Sequence, residues 1–432
     1  MNEPSSRDEP RSIAVEPLPI AEPLALGTRE RELVHEWLVW DAWVGGRRRV
    51  DLHPIVLSPE VHREAVRVAE RAWSLVSDAG TRAHADPLEG ARYRLHPDVE
   101  RLAAAAREGG ALDSVVRVDL LLREDGRLVA CEVNADCPGG YNESVALPRL
   151  ARSAGLAHGT VSDPTTVAAR LADLLVARSG GVGSPRGAVG LVYATGYAED
   201  LQVCALLARL VTERGGRPIR MPPTALTSDA DGGVVFRGEP VSVLYRFYPL
   251  EYMAGQRNLD ALVRATATGK LACVSSFASI HAQSKLSMAR AWSFDPGAAA
   301  EVFPETHEFG DVAADRLDLE RTEWVIKRDL SRVGDHVFVG ALIGSDDFRE
   351  ILAEVAAVQD DPAAPPQAWI AQRYVPQRAL STPWGARYVT LGVYLLDGAF
   401  AGYFARLSPT SHCSHDSLVL PVFVNEAGRR AA

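Results

Sequence analysis

The feature that most constrains the fold is a β-hairpin encoded by residues 117–134 around the dipeptide Asp125-Gly126. Apolar residues alternate with polar ones on both sides of this dipeptide. Such alternation is typical of strands, and Asp-Gly strongly predicts a two-residue hairpin turn. If Asp125 and Gly126 form the whole turn, Glu124 pairs with Arg127, and this pairing fixes the register of both strands.

Four polar side chains are expected to meet on one face of this hairpin. The register sets Asp119 opposite Glu132 and Arg117 opposite Asn134, and because side chains alternate along a strand, all four share a face. Two carboxylates directly opposite each other repel unless a cation lies between them. The sequence therefore predicts a Mg²⁺ site formed by the two acids and the Asn134 oxygen. The alternative is a solvated polar face on an ordinary amphipathic hairpin.

Lysine is rare in this chain, because only Lys270, Lys285 and Lys327 stand among 46 Lys and Arg residues. Lys327 ends an apolar strand at 324–326 and runs into a turn at 331–335. A lysine ammonium is a compact charge that reaches a phosphate oxygen in a tight space, whereas a planar guanidinium needs more room. Their placement favours nucleotide phosphate binding by Lys285 and Lys327. The alternative is that three lysines survive by chance in an arginine-rich sequence.

Together these motifs resemble the circularly permuted ATP-grasp family that includes glutathionylspermidine synthase. The resemblance rests on Arg117-x-Asp119, on Glu-x-Asn-Ala-Asp-x-Pro-Gly-Gly at 132–140 and on the two later lysines. It covers roughly residues 100–425. Ordinary ATP-grasp chains place the phosphate lysines before the metal-binding Glu-x-Asn, whereas this chain places them after it.

The resemblance implies a role for each matching residue. The three oxygen-bearing side chains of the hairpin would hold Mg²⁺, and Arg117 would support the transferring phosphoryl group of ATP. Lys285 and Lys327 would hold the ATP phosphates, with further contacts from Ser331 and Gly334 in the loop that follows. The cofactors implied are therefore ATP and Mg²⁺.

The adenine site is implied by the strand at 369–375. In ATP-grasp folds the matching strand ends in a hinge whose backbone meets the edge of the base. The residues expected around adenine are Gln372, Arg373, Tyr374 and Val375. The alternative is a plain core strand.

Two more arginines are candidate site residues. A second hairpin turns at Asp397-Gly398, and a two-residue turn there would set Arg406 opposite Val389 on an otherwise apolar face. A buried arginine needs a partner charge, and the matching arginine of the family helps bind the phosphoryl group or the electrophilic carboxylate. The alternative is an arginine that extends into water at the strand end. Arg246 follows a parallel strand, where ligands of such sheets bind, and is the candidate for gripping a substrate carboxylate.

The predicted fold class is α/β with an α+β lid: a circularly permuted ATP-grasp fold with an inserted Rossmann-like pre-ATP-grasp domain. Strand–helix–strand order after residue 186 indicates the Rossmann-like unit, but the Gly-x-Gly-x-x-Gly turn is missing and no dinucleotide is assigned. Helices are expected near 28–43, 59–78 and 97–108. The expected segments are a disordered tail (1–27), an N-terminal helical segment (28–108), the metal-binding part of the core (109–165), the Rossmann-like domain (186–270), the lysine-bearing lid (271–375) and the C-terminal part of the core (376–432).

Composition limits the class of protein. A chain of 432 residues, 47% hydrophobic and 24% charged, is typical of a globular protein with two or three domains. The formal net charge of -10 argues against nucleic acid or an anionic membrane as the main partner, and no apolar run approaches the length of a membrane span. Five cysteines without framework spacing suggest reduced thiols and a cytoplasmic location. The 411–415 segment, Ser-His-Cys-Ser-His, is too crowded for zinc and is interpreted as a loop near the substrate.

The predicted function is an ATP-dependent carboxylate–amine ligase that acts through an acyl phosphate and releases ADP and phosphate. Its expected substrates are a small-molecule carboxylate, amino-acid or peptide-like, and an amine. One alternative is a catalytically silent ATP-binding scaffold of the same fold. Another is an oxidoreductase that uses the Rossmann-like unit, which the missing glycine motif disfavours.

Overall fold

The structure is a computed structural model that describes residues 12–15, 26–157, 159–180, 187–194, 196–331, 334–361, 367–413 and 417–426. Within these residues the chain forms 13 α-helices, five short 3₁₀ helices and 22 strands in five sheets. This is the mixed α/β architecture that the sequence predicts.

The elements before residue 180 build the N-terminal region and the first half of the core. In chain order they are β1 (Ile13–Val15), α1 (Glu30–His35), β2 (Trp43–Val44), β3 (Arg47–Arg48), β4 (Ile55–Leu57), α2 (Pro59–Ala85), α3 (Pro87–Arg92), α4 (Pro97–Gly109), β5 (Val115–Leu122), β6 (Leu128–Asn134), α5 (Tyr141–Ser153), β7 (Val161–Ser162) and α6 (Val167–Ser179).

The elements after residue 187 build the remaining sheets. They are β8 (Ala188–Tyr193), α7 (Ala198–Glu213), β9 (Pro218–Met221), β10 (Thr227–Ser228), β11 (Val234–Phe236), β12 (Glu239–Phe247), α8 (Leu259–Ala267), β13 (Ala272–Val274), α9 (Ile280–Gln283), α10 (Leu286–Phe294), α11 (Pro296–Ala300), β14 (Thr306–Glu308), α12 (Ala314–Leu319), β15 (Trp324–Arg328), β16 (Val337–Val339), α13 (Ser345–Asp360), β17 (Trp369–Arg373), β18 (Leu380–Thr382), β19 (Gly385–Leu396), β20 (Ala399–Ser408), β21 (Leu418–Leu420) and β22 (Val422–Asn425). The 3₁₀ helices are Leu250–Met253, Phe277–Ser279, Phe309–Asp311, Arg321–Glu323 and Gly340–Leu342.

The N-terminal region differs from the sequence prediction at two points. Residues 1–11 and 16–25 of the predicted disordered tail lie outside the described residues, but β1 forms within it and pairs antiparallel with β4. The prediction of disorder is wrong for these three residues. A short segment can pair with β4 through its backbone even though its sequence has no alternating apolar pattern. The helix expected at 28–43 is only the short α1, whereas α2 extends past its predicted end.

The core sheet has the strand order β21-β20-β19-β5-β6, with β18 beside β19, and its pairs are antiparallel. It joins the two Asp-Gly hairpins edge to edge, because β5 pairs with β19. The long helix α2 packs its apolar side on one face of this sheet. Ser58 caps α2 by accepting from Val61 N at 3.3 Å, and Pro59 occupies the first turn.

The first hairpin reaches the predicted register by a different path. Its turn has three residues, since Arg123 N donates to Arg127 O and Leu122 pairs with Leu128. A bulge at Cys131 then restores the pairing of Asp119 with Glu132. The extra turn residue and the bulge offset each other, so the predicted pairing of Glu124 with Arg127 is wrong while the pairing at the site is right.

The second hairpin does not follow the predicted register. Leu396 pairs with Ala399, but an irregularity after Leu395 shifts the strands by one residue, and Arg406 pairs with Thr390. The prediction that Arg406 lies opposite Val389 is therefore wrong, because a single bulge moves every later side chain to the other face.

The Rossmann-like sheet has the order β10-β11-β12-β8-β9, with β13 beside β12. Strands β8, β9, β12 and β13 are parallel, as the strand–helix–strand pattern predicts. Helices α6 and α7 cover one face, and α4 and α8 cover the other. Parallel sheets are buried in this way on both faces.

The lid sheet, of order β14-β17-β15-β16, is antiparallel and is covered by α13. A fourth sheet, of order β1-β4-β22-β7, joins the two ends of the chain, and β2 pairs with β3 in a separate hairpin.

Candidate functional site

The polar face of the core sheet brings together the four hairpin residues that the sequence predicts. Asp119 pairs with Glu132, and Arg117 pairs with Asn134. The even-numbered residues of β5 belong to the core under α2, so Arg117 and Asp119 project from the opposite face. The predicted convergence of these side chains is confirmed.

Asp119 is the centre of a buried charge cluster and is 1% exposed. Arg117 donates from Nε to Oδ1 at 2.7 Å and from Nη2 to Oδ2 at 3.1 Å, and Arg406 donates from Nη2 to Oδ2 at 2.7 Å. Burial alone would raise the pKa of Asp119, but the charges of Arg117 and Arg406 outweigh it and hold the pKa below its usual value. Asp119 therefore stays ionised and holds two arginines side by side.

Arg117 is fixed from several directions. Its Nη1 donates to Gly139 O at 3.0 Å, and the hydroxyl of Tyr394 donates to the same oxygen at 2.6 Å. Its guanidinium lies 5.1 Å from the centre of the Phe404 ring. Gly392 makes room for its stem, because a Cβ at that position would lie 2.8 Å from Arg117 Cδ. The arginine is held ready for a ligand and needs no further ordering.

Lys285 reaches the hairpin from the start of α10. Its Nζ lies 2.9 Å from Glu132 Oε1 and 3.3 Å from Ser331 Oγ, and the side chain is 3% exposed. Burial alone would raise the pKa of Glu132, but the charge of Lys285 holds it below its usual value. One lysine therefore joins the predicted metal ligand to the predicted phosphate loop.

Lys327 connects the lid sheet to the core sheet. Its Nζ donates to Cys131 O at 3.1 Å and to Gln372 Oε1 at 2.6 Å. Burial lowers the pKa of Lys327 below its ordinary value. Gln372 is 2% exposed and also donates to Thr306 Oγ1 at 3.0 Å. Both ends of its side-chain amide are hydrogen-bonded, so this side chain positions Lys327.

The other predicted hinge residues border a cavity between the lid and the core. Its volume is about 460 Å³. The lining includes Arg373, Tyr374, Val375, Val129, Trp292 and Phe303. Arg373 turns its charge toward the lid, because Nη1 donates to Glu323 Oε2 at 2.6 Å and the guanidinium lies 4.2 Å from the Trp324 ring centre. Val129, Trp292 and Phe303 give part of the wall an apolar surface that suits a flat base. The rest of the lining includes the charged residues Arg123, Glu124, Asp125 and Glu305.

The predicted phosphate loop is described at both ends, while residues 332 and 333 lie outside the described residues. Ser331 is buried and holds Lys285 as above. Gly334 has a φ of +79°, and a Cβ there would lie 2.9 Å from His412 Nε2. The loop therefore lies against His412. The other histidine of this segment, His415, is outside the described residues, as are its two neighbours.

Arg246 does not face a ligand site. It is 1% exposed, its Nη2 donates to Asp136 Oδ1 at 2.5 Å, and its Nη1 donates to Tyr248 O at 2.8 Å. Leu250 N donates to the second Asp136 oxygen at 2.9 Å. The prediction that Arg246 grips a substrate carboxylate is not supported. The arginine is engaged in an internal ion pair with Asp136, and both side chains are buried.

Several residues that hold the site together were not predicted from the sequence. Gln283 Oε1 accepts from Ala135 N at 2.7 Å and from Asp136 N at 2.9 Å, which fixes the chain just after the Glu-x-Asn motif. Burial raises the pKa of Asp329 to about 6, and its carbonyl accepts from Lys285 N at 3.3 Å. The polar run before Lys285 could have suggested Gln283. The pairing that brings Tyr394 beside Arg117 could not be read from either hairpin alone.

The side-chain oxygen atoms of the hairpin are of the kind that coordinates a hard divalent cation. No described residue donates a hydrogen bond to Glu132 Oε2 or Asn134 Oδ1, whereas Asp119 shares its carboxylate with two arginines. Among the described residues, no group of three or more His, Cys, Asp or Glu side chains is arranged to hold a metal ion. A Mg²⁺ ion here would therefore need Asn134 and phosphate oxygens to complete its coordination.

Comparison with known proteins gives a family match and two similar solved structures. A family model described as glutathionylspermidine synthase pre-ATP-grasp matches residues 56–425. The fold is similar to that of a glutathione synthetase-like effector from Globodera pallida in its apo form, with a TM-score of 0.60, 12% identity, and coverage of 94% of this chain and 99% of that one. A putative gamma-glutamylcysteine synthetase from Methylobacillus flagellatus KT covers 82% of this chain and 84% of its own, with 13% identity and a TM-score of 0.39.

No curated protein sequence matches the chain. Identity as low as 12% in the first structural comparison shows a shared fold alone. In the described part of the chain, every helix is too short or too polar to cross a membrane.

Proposed function

The chain belongs to the glutathionylspermidine synthase family, and on this premise we propose that it is an ATP-dependent carboxylate–amine ligase that forms an amide or peptide bond. The observation that carries the proposal is the convergence of Arg117, Arg406 and Lys285 on the paired carboxylates of Asp119 and Glu132. Fixed cations around two ionised acids are suited to a highly charged phosphate ligand and its metal.

The nucleotide would lie between the lid and core sheets. Adenine would occupy the cavity beside Tyr374 and Val375, and Lys285 and Lys327 would neutralise the phosphates. Both lysines already bond to backbone or side-chain oxygens, so a phosphate would exchange for existing partners and leave no ammonium buried alone. Ser331 and Gly334 would border the same phosphates from the loop.

Mg²⁺ would be held by Glu132, Asn134 and the shared carboxylate of Asp119. When bound, it would draw charge from the phosphate oxygens. The residues of the chain have separate tasks: Lys285 would release Glu132 toward the metal and turn its ammonium to the phosphates. Asp119 would keep its arginines in place throughout.

The reaction would have two steps. A carboxylate oxygen of the first substrate attacks the γ-phosphorus, the bond to the bridging oxygen breaks, and ADP leaves with the electron pair. The amine nitrogen of the second substrate then attacks the acyl carbon, phosphate leaves, and the nitrogen gives up a proton. Arg117 and Arg406 would face the charge that develops on the transferring group, which is the kind of positioned charge that dominates phosphoryl transfer.

The substrate classes are a small carboxylic acid, amino-acid or peptide-like, and a small amine. The order of motifs, metal hairpin first and lysines second, supports a circular permutation of the ATP-grasp fold. The alternative function is a silent ATP-binding scaffold. The arrangement favours the ligase, because a scaffold has no need of Arg406 and Arg117 beside the phosphate site.

The test is product analysis with a panel of amino acids, short peptides and amines. We expect ADP and phosphate, with ¹⁸O from the acid appearing in phosphate, and a hydroxamate when hydroxylamine replaces the amine. Glu132→Gln should cut this turnover by about two orders of magnitude or more, while exposed Glu70→Gln should not change it. AMP and pyrophosphate as products would overturn the mechanism, and ATP binding without any turnover would favour the scaffold.

A further inference from the structure

Residues 409–413 leave the core sheet after β20 and form a segment that we name the strap. The strap is fastened by one hydrogen bond to the predicted adenine hinge and by another to the chain just after it. Tyr374 donates its hydroxyl to Ser411 Oγ at 2.9 Å, and Gln377 Nε2 donates to Ser411 O at 2.7 Å. The middle of the strap is therefore tied to the chain that follows β17.

The strap is also held at its base and braced within itself. Cys413 Sγ lies 3.4 Å from Ser417 Oγ, and Ser417 Oγ lies 2.7 Å from Ser408 Oγ. Thr410 Oγ1 donates to His412 O at 3.2 Å. These contacts hold the chain on both sides of His412.

The side chain of His412 lies over the predicted phosphate loop. A Cβ at Gly334 would be 2.9 Å from His412 Nε2 and 3.0 Å from Cys413 O, so this glycine lets the strap approach the loop closely. Burial, and after it the charge of Lys327, lowers the pKa of His412. The imidazole is therefore neutral at pH 7, with one N–H to donate.

The ring nitrogens of His412 make no hydrogen bond to any described residue, although the ring is partly buried. A polar group in this position needs a partner, and water or a ligand must supply it. Gly334, which lies against the ring, belongs to the loop assigned to the ATP phosphates. An anionic oxygen at the phosphate loop would accept a hydrogen bond from the imidazole N–H.

We propose that His412 is a further ligand of the ATP phosphates, brought to the phosphate loop by the strap. This inference rests on the proposed function, since it takes the pocket between the lid and the core as the ATP site. The strap would then link recognition of adenine to recognition of the phosphates, because Ser411 contacts the hinge and the next residue contacts the loop.

The test compares nucleotide affinities of the full-length protein with Mg²⁺ at pH 7.5. For His412→Ala we expect about tenfold weaker ATP binding, the usual effect of losing one hydrogen bond to a charged group, and unchanged AMP binding. AMP lacks the outer phosphates and so reports only the adenine end. His412→Gln keeps an N–H donor near the Nε2 position and should recover part of the ATP affinity.

The exposed histidine His35 provides the matched control, and His35→Gln should bind ATP and AMP as the parent does. Equal ATP affinity in His412→Ala and the parent would overturn the assignment while leaving the ligase proposal intact. Equal losses for ATP and AMP would also overturn it, because they would indicate a general disturbance of the pocket. A parent protein that binds no ATP would refute both proposals.

Discussion

At the scale of single residues, Lys327 shows why an ammonium is required where the lid meets the core. Its Nζ fits between Cys131 O and Gln372 Oε1, and the side chain is buried. A guanidinium is broader and presents a planar fork that this gap cannot take. We therefore expect Lys327→Arg to weaken ATP binding and slow turnover, both by about tenfold or more.

Exposed Lys270 supplies the control, since Lys270→Arg preserves charge in the same way outside the site. Calorimetric titration with ATP and a steady-state assay measure the two effects. Unchanged affinity and rate in Lys327→Arg would contradict the role assigned to this lysine.

The surroundings of Asp119 lead to a prediction about stability. Considered without their neighbours, the facing carboxylates of Asp119 and Glu132 repel each other, and neutralising one of them would relieve this repulsion. The structure indicates the opposite, because Asp119 satisfies Arg117 and Arg406 in a buried site. We expect Asp119→Asn to lower the free energy of unfolding at pH 7 by about 3 kcal/mol, as for other broken buried pairs. Urea unfolding measures it, with exposed Asp78→Asn as the neutral control.

The pH dependence of this effect has a definite sign. The folded pKa of Asp119 lies below its ordinary value of 3.8. Its ionised form therefore stabilises the fold above pH 3.8 and this contribution is lost as the pH falls through the lower folded value. The difference in stability between Asp119→Asn and the parent should shrink in that acidic range. A constant difference down to pH 2 would mean that the carboxylate charge is not the cause.

At the scale of secondary-structure elements, the bulges decide which side chains reach the site. In β6, Leu128 and Ala130 belong to the core under α2, as does Val133. This change from even to odd positions occurs at the Cys131 bulge and turns Glu132 toward the polar face. The irregularity in the second hairpin has the same effect on Arg406. Without the two bulges, a period of two would send these charges into the core.

In strand β19, Gly392 has no side chain and so leaves room for Arg117. A Cβ there would lie 2.8 Å from Arg117 Cδ and 2.9 Å from Phe404 O. We expect Gly392→Ala to push Arg117 away from Asp119, to cost about 1–3 kcal/mol of stability and to reduce turnover more than the stability loss explains. Gly310→Ala is the control, because nothing lies within 4 Å of a Cβ at that position. Parent-like turnover in folded Gly392→Ala would refute the close fit.

At the scale of the whole molecule, a buried ion pair joins the core to the Rossmann-like sheet. Arg246 extends from β12 to Asp136, which follows strand β6. We expect Arg246→Ala to lower the free energy of unfolding by about 3–5 kcal/mol, since it leaves a buried carboxylate unpaired. Thermal and urea unfolding measure this change.

The double variant Arg246→Met with Asp136→Leu should recover much of the lost stability, because it removes both charges at once. Arg217→Ala, which breaks an exposed pair with Glu239, should have little effect. If Arg246→Ala unfolds like the parent, the pair does not hold the two sheets together.

The sequence by itself determined the site in the first hairpin and the family. Turn chemistry and strand alternation placed Asp119, Glu132, Arg117 and Asn134 together. The pairing was right because the extra turn residue and the bulge at Cys131, neither of which was predicted, offset each other. The parallel strands at 188–193 and 239–247 could be recognised for the same reason.

Only the tertiary structure decided how distant segments divide their tasks. Burial and pairing engage Arg246 in an ion pair and join the Gln372 side chain to Lys327. They also bring Arg406 to Asp119 through a bulge that no local signal marked. The partner of a buried charged side chain depends on how the sheets pack against one another. The two residues of each of these ion pairs are more than a hundred positions apart in the sequence.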